Sequence, residues 1–166
     1  MNRRGQSGLW GLGISGDLPL VVLRISDARK MDLVQQLVQA HAYWRLKGLP
    51  VELMIVNEEV SVYRQSLHDQ ITGLIASRNE AQMLDKPGGI FVRRLEQIQH
   101  EDLVLLQSVA RIALDDERGT LADQIARRSV LDPVIPALVP TRPLMAALPQ
   151  PVPPRELIFP NGLGGF

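Results

Sequence analysis

The chain contains no cysteine among its 166 residues. That excludes a disulfide framework, a thiol nucleophile and a thiolate metal site, and it is compatible with any redox compartment. It also lacks a charge imbalance, since eighteen Lys and Arg face eighteen Asp and Glu. Nothing therefore draws it electrostatically to nucleic acid or to an acidic membrane surface. No run approaches the ~20 apolar residues of a spanning helix, so no direct membrane insertion is expected. Arg3-Arg4 precede an apolar stretch, but Asp17 and Pro19 interrupt it and no small-residue cleavage pattern follows, so no export signal is read. The three histidines, His41, His68 and His100, fall in no metal-ligand spacing. Asp115-Asp116-Glu117 lacks the spaced oxygen ligands of a calcium loop and reads as a solvated helix end. No metal and no cofactor is expected.

What the chain does have is a regular switch of periodicity. At 45% hydrophobic residues it can bury one ordinary core. Leu18 to Ile25 is a nearly unbroken apolar run rich in β-branched residues, the pattern of a strand buried on both faces. Ser26 or Asp27 can cap a helix over Ala28 to Lys47, where Leu33, Val34, Leu37, Val38, His41 and Trp44 form one apolar stripe. On that stripe His41 reads as a hydrogen-bonded core or boundary residue. Gly48 ends the helix. Val51 to Val56 repeats the buried-strand pattern, and Val62 to Asn79 places Leu67, Ile71, Leu74 and Ile75 on a second helical stripe. Pro87-Gly88-Gly89 breaks the chain before a third strand, Ile90-Phe91-Val92. Glu101 to Leu114 reads as helix throughout, and Thr120 to Asp123 has the form of a capping box for a last helix to about Arg128.

Alternating strands and helices feed a parallel sheet through crossovers. The expected fold is α/β: a small three-stranded, mostly parallel sheet with crossover helices, followed by a proline-rich extended strap. Eight of the twelve prolines lie between Asp132 and Pro154, where neither helix nor central strand can form. The expected divisions are a glycine-rich docking segment over 1–17, the α/β domain over 18–128, a proline-rich linker over 129–154, and the start of a following domain over 155–166.

One phrase matches a catalytic motif. Gly11-x-Gly13-x-x-Gly16 has the dinucleotide-binding spacing, but that chemistry needs the glycines after a strand and at the opening of a helix, so that phosphate sits on the helix N-terminus. Here they precede the first strand, which makes a packed glycine turn the better reading. A ligand site in a parallel sheet lies outside the carboxyl ends of the strands. Those ends carry Asp27, Glu58 and Glu59 as carboxylates and Arg93 and Arg94 as cations, a set able to orient a sugar hydroxyl or a phosphate. The competing reading makes Ser26, Asp27 and Asn57 helix caps and the charges solvated or mutually paired.

The two ends of the chain carry apolar, glycine-rich phrases. Gly8-Leu9-Trp10-Gly11-Leu12-Gly13-Ile14-Ser15-Gly16-Asp17-Leu18-Pro19 runs into the first strand, and Asn161-Gly162-Leu163-Gly164-Gly165-Phe166 closes the chain. The first resembles the segment after the first β-sandwich of cyclic β-1,2-glucan synthases. The second resembles the opening of their second sandwich, ahead of a cellobiose-phosphorylase-like module. The resemblance implies a middle piece of a large inner-membrane glycosyltransferase that polymerises and cyclises glucose from UDP-glucose on the cytoplasmic side. The implied partners are the neighbouring sandwich and phosphorylase-like domains, docked through Trp10, Asp17, Leu163 and Phe166; contact with glucan is left open. The family's catalytic segments have no counterpart in this chain, so no catalytic residue is carried over. Three classes stand beside one another: a connecting, non-catalytic module of such a synthase, a small sugar- or phosphate-binding α/β domain, and a free-standing enzyme. The first is the reading adopted.

Overall fold

The computed structural model describes residues 2, 4–59, 66–78 and 80–127. The chain divides into two units, Met1–Ser129 and Val130–Phe166, and all the described residues belong to the first. The proline-rich linker over 129–154, the segment over 155–166 with Leu163 and Phe166, the first residues of the predicted helix at Val62 and its last at Asn79, and Arg128 lie outside the described residues.

Four strands form one parallel sheet: β1 (Leu20–Ile25), β2 (Glu52–Asn57), β3 (Ile90–Arg94) and β4 (Ile112–Asp115), in the spatial order β3-β2-β1-β4. Among the described residues five α-helices accompany them: α1 (Ser7–Trp10), α2 (Met31–Leu46), α3 (Ser66–Ser77), α4 (His100–Val109) and α5 (Leu121–Ala126). The chain moves from β1 outward to β2 and β3, then returns past β1 to β4. A fixed crossover hand then places α2 and α3 on one face and α4 on the other.

Strand alternation divides the core in two. Val21, Leu23, Ile25, Leu53 and Ile55 meet the stripe of α2 (Leu33, Val34, Leu37, Val38) and that of α3 (Leu67, Ile71, Ile75). Leu20, Val22, Met54, Val56 and Phe91 meet Leu105 and Leu106 of α4 together with Leu9, Leu12 and Ile14. Each fully buried side chain of this kind stabilises the fold by about 1.5–3 kcal/mol. The segment before β1 thus supplies part of the second core layer, and α1 packs against α4.

The sheet has four strands where the sequence predicts three. The predicted helix over Glu101 to Leu114 ends at Val109, and Ile112–Asp115 pairs with β1, Val21 opposite Ile112 and Leu23 opposite Leu114. Ala, Leu and Arg favour a helix intrinsically, but β1 has one side left open after pairing with β2. Filling that side satisfies backbone groups that no helix can reach. The capping box is present: Asp123 N–H donates to Thr120 Oγ1 at 3.2 Å and Thr120 N–H donates to Asp123 Oδ2 at 2.9 Å.

Candidate functional site

In this strand order the reversal falls between β1 and β4, and their carboxyl ends border the crevice where such sheets hold ligands. The backbone there is already engaged. Asp116, predicted as part of a solvated helix end, is instead buried at 5% exposure. Its Oδ2 accepts the N–H of Ser26 at 2.9 Å and that of Asp27 at 3.0 Å, and the Ser26 hydroxyl donates to the same oxygen at 3.2 Å. These are the donors that meet a phosphate in nucleotide-binding sheets. The loop after β4 delivers a carboxylate to them because β4 lies directly beside β1.

The predicted site residues are held apart, each in its own pairing. Arg24, inside β1, binds both carboxylate oxygens of Glu58 at 2.5 and 2.9 Å and reaches Asp115 at 3.3 Å. Its guanidinium pKa is raised above the ordinary value by the Glu58 hydrogen bonds, against the cost of partial burial. Asp27 accepts the N–H of Arg29 and pairs with its guanidinium at 2.8 Å, which lowers its carboxyl pKa. Glu59 accepts the N–H of Leu67 at 3.2 Å and so caps α3. Arg93 pairs with Asp85 at 2.7 Å and donates to the Leu12 carbonyl at 3.0 Å. Arg94 pairs with Glu96 at 3.4 Å. An open crevice of about 240 Å³ beside the start of α2 is lined by Arg29, Lys30, Asp32, Gln36, Gly119 and Thr120. Of the predicted set, none lines it.

The glycine phrase forms a turn over the sheet. Gly13 and Gly16 hold φ of 87° and 80°, where a side chain is strained, and Cβ at Gly13 would lie 3.2 Å from Phe91. Gly11 follows α1 as its C-cap with ordinary helical angles and has nothing near its missing Cβ. Gln6 Nε2 ties the turn by donating to the Ser15 carbonyl at 2.8 Å and to Asp17 Oδ1 at 3.0 Å. Trp10 faces outward at 64% exposure. His41 is buried in α2 with Nε2 3.0 Å from the carbonyls of both Val51 and Gly88.

Glu52, the first residue of β2, escaped the sequence reading. Its side chain is fully buried beside the Ser15 turn, and neither carboxylate oxygen has a hydrogen-bond partner. Burial pushes its pKa above the usual carboxylate range; the nearby N–H groups of Gly88 and Ser15 and the Ser15 hydroxyl oppose this, and the charge of Asp17 adds to it. One signal was legible in advance: Arg24 and Glu52 are each a lone charge within an apolar strand pattern. Among the described residues no cluster of three or more metal-ligating side chains occurs, and no helix is long and apolar enough to cross a membrane.

No protein-family model matches the chain. A stretch of 127 residues, 76% of this chain, is 34% identical to the cyclic β-(1,2)-glucan synthase NdvB of Rhizobium meliloti (strain 1021). The chain spans only 4% of the length of that relative. Over most of its length, then, this chain corresponds to a segment of a cyclic β-(1,2)-glucan synthase, the family that its two glycine-rich phrases resemble.

Proposed function

We propose that this chain is a non-catalytic connecting module of a multidomain cyclic β-1,2-glucan synthase. The observation that carries the reading is Asp116: its carboxylate occupies the Ser26 and Asp27 N–H groups at the one place where this strand order offers a ligand crevice. The pairing of Arg24 with Glu58 and of Asp27 with Arg29 supports it further, because these charges are matched internally. In the proposed parent, glucose from UDP-glucose is polymerised and cyclised at the cytoplasmic side of a bacterial inner membrane by segments outside this one. The exposed Trp10 indole, at the end of α1, is the proposed contact to a neighbouring sandwich or phosphorylase-like domain.

The test is made in the full-length synthase. Asp27→Asn, Glu58→Gln and Glu59→Gln, singly and together, should leave glucan synthesis from UDP-glucose within about twofold, whereas Trp10→Ala should weaken association between domains and lower the yield of enzyme. Loss of turnover with unchanged yield in any of the three carboxylate variants would replace the connecting role with a substrate-binding one.

A further inference from the structure

The two edges of the sheet are finished differently. On β3 the outer edge is engaged at its start by the bridge between Leu84 and Ile90, and the Asp85 N–H donates to the Ile90 carbonyl at 3.0 Å. On β4, among the described residues, the outer edge hydrogen-bonds to one side chain. Gln124 accepts the Asp115 N–H at 3.1 Å and donates to the Asp115 carbonyl at 2.8 Å, as the peptide group of a further strand would. Strand backbone groups alternate in direction, so the N–H and C=O of Ala113, two residues earlier, face the same side. Ala113 is itself exposed. Unpaired edge groups of this kind are a template for another strand.

This edge borders an open crevice of about 310 Å³ that is lined by Arg111, Arg118 and Arg127 and by no carboxylate. Arg118 and Arg127 make no ion pair among the described residues. The acids of the region are committed, Asp115 to Arg24 at 3.3 Å and Asp123 to the Thr120 cap. Ile125 of α5 also lines the crevice, at 62% exposure. We propose that the crevice along the β4 edge binds an acidic peptide segment in extended form, which pairs its backbone with Ala113, sets carboxylates against Arg118 and Arg127, and lays an apolar side chain on Ile125.

The chemistry of the crevice selects this occupant. A free N–H beside a free C=O is matched by a peptide group, which offers both an acceptor and a donor. Guanidinium forks take carboxylates in paired hydrogen bonds. An extended segment turns successive side chains to opposite sides, so one that alternates acidic and apolar residues can present each to its own counterpart. A basic segment would meet like charge. A second copy of this chain laid against the edge would carry the same arginines into the crevice, and like charges oppose that pairing.

The experiment is fluorescence anisotropy with the whole chain and a fluorescein-labelled, end-capped octapeptide of alternating glutamate and valine. Saturable binding is expected, and the same peptide with lysine in place of glutamate should not bind. Arg118→Gln combined with Arg127→Gln should weaken binding about tenfold. Ala113→Pro removes the outward N–H while sparing the pairing with β1, since proline is accepted on an edge strand whose N–H faces solvent, and it should weaken binding to a similar extent. No saturable binding of the acidic peptide, equal binding of the lysine peptide, or unchanged affinity in either variant overturns the proposal. Should Ala113→Pro not fold, nitrogen–proton NMR of the unaltered chain decides: the Ala113 amide must shift as the acidic peptide saturates, and an unmoved Ala113 amide overturns the assignment.

Discussion

Asp116 Oδ2 lies 2.9 Å from the backbone nitrogen of Ser26, ninety residues earlier in the chain. The bond fastens the carboxyl end of β1 to the loop that follows β4, and the same oxygen also takes the Asp27 N–H. Asp116 is buried whereas Ser26 is exposed and Asp27 half-buried, so part of the loss on breaking the contact is recovered by solvation of the two N–H groups.

Replacing Asp116 by Ala should therefore destabilise the chain by about 2 kcal/mol, because two partly buried N–H groups lose their acceptor. Asp116→Asn keeps an acceptor oxygen and should cost about 1 kcal/mol. Denaturant unfolding with an unchanged m-value would measure both, and equal losses would show that charge rather than hydrogen bonding carries the contact.

The glycines should separate sharply on substitution by alanine. Gly11→Ala meets nothing within 4 Å and should change stability by less than about 0.5 kcal/mol. Gly13→Ala and Gly16→Ala place a side chain at positive φ and should each cost about 1–2 kcal/mol. Gly89→Ala is the severe case, since its Cβ would lie 2.0 Å from the Met83 carbonyl oxygen, and on the order of 4 kcal/mol or more is expected. Thermal melts of the four variants would order them; a large loss at Gly11 would show that this position, too, is constrained by the fold.

Glu52 should also make overall stability depend on pH. Its pKa is higher in the folded chain than in the unfolded one, so the folded chain binds more protons and stability falls as pH rises. The contribution is complete below the unfolded carboxylate value and is lost as pH climbs through the folded value. Glu52→Gln should flatten that decline and gain on the unaltered chain at neutral pH. Urea unfolding between pH 4 and 8 would read the slopes, and parallel slopes would contradict the assignment.

Arg24 stands between Glu58 and Asp115. Arg24→Met leaves two carboxylates facing each other without their cation, at a cost of about 1 kcal/mol because the site is partly exposed to solvent. The loss should shrink at high salt, which screens the pairing. A salt-independent loss would attribute it to the packing of the arginine stem.

Much of the architecture was legible because it rests on local rules. The apolar runs of β1, β2 and β3, the stripes of α2 and α3, the burial of His41 and the capping box at Thr120 each follow from side-chain spacing over a dozen residues or fewer. The phrase from Gly8 to Pro19 pointed to the right family for a different reason, since its resemblance does not depend on what the residues contact. By contrast, Ile112-Ala113-Leu114 is a sequence that either helix or strand accepts, and only the open side of β1 selects the strand. That choice carries Asp116 into the crevice and turns an apparently solvated acid into a buried one. Of the predicted charges, Glu58 takes its partner from a distant segment, Arg24 of β1, a contact that sequence distance does not reveal, whereas Asp27 and Arg94 pair with Arg29 and Glu96 two residues away and Arg93 with Asp85 before its own strand. Glu52 is the same case in reverse. Its position in a strand was read from the pattern, but its isolation from water and from hydrogen-bond partners exists only once the Ser15 turn closes over it, a consequence of tertiary packing that no local spacing encodes.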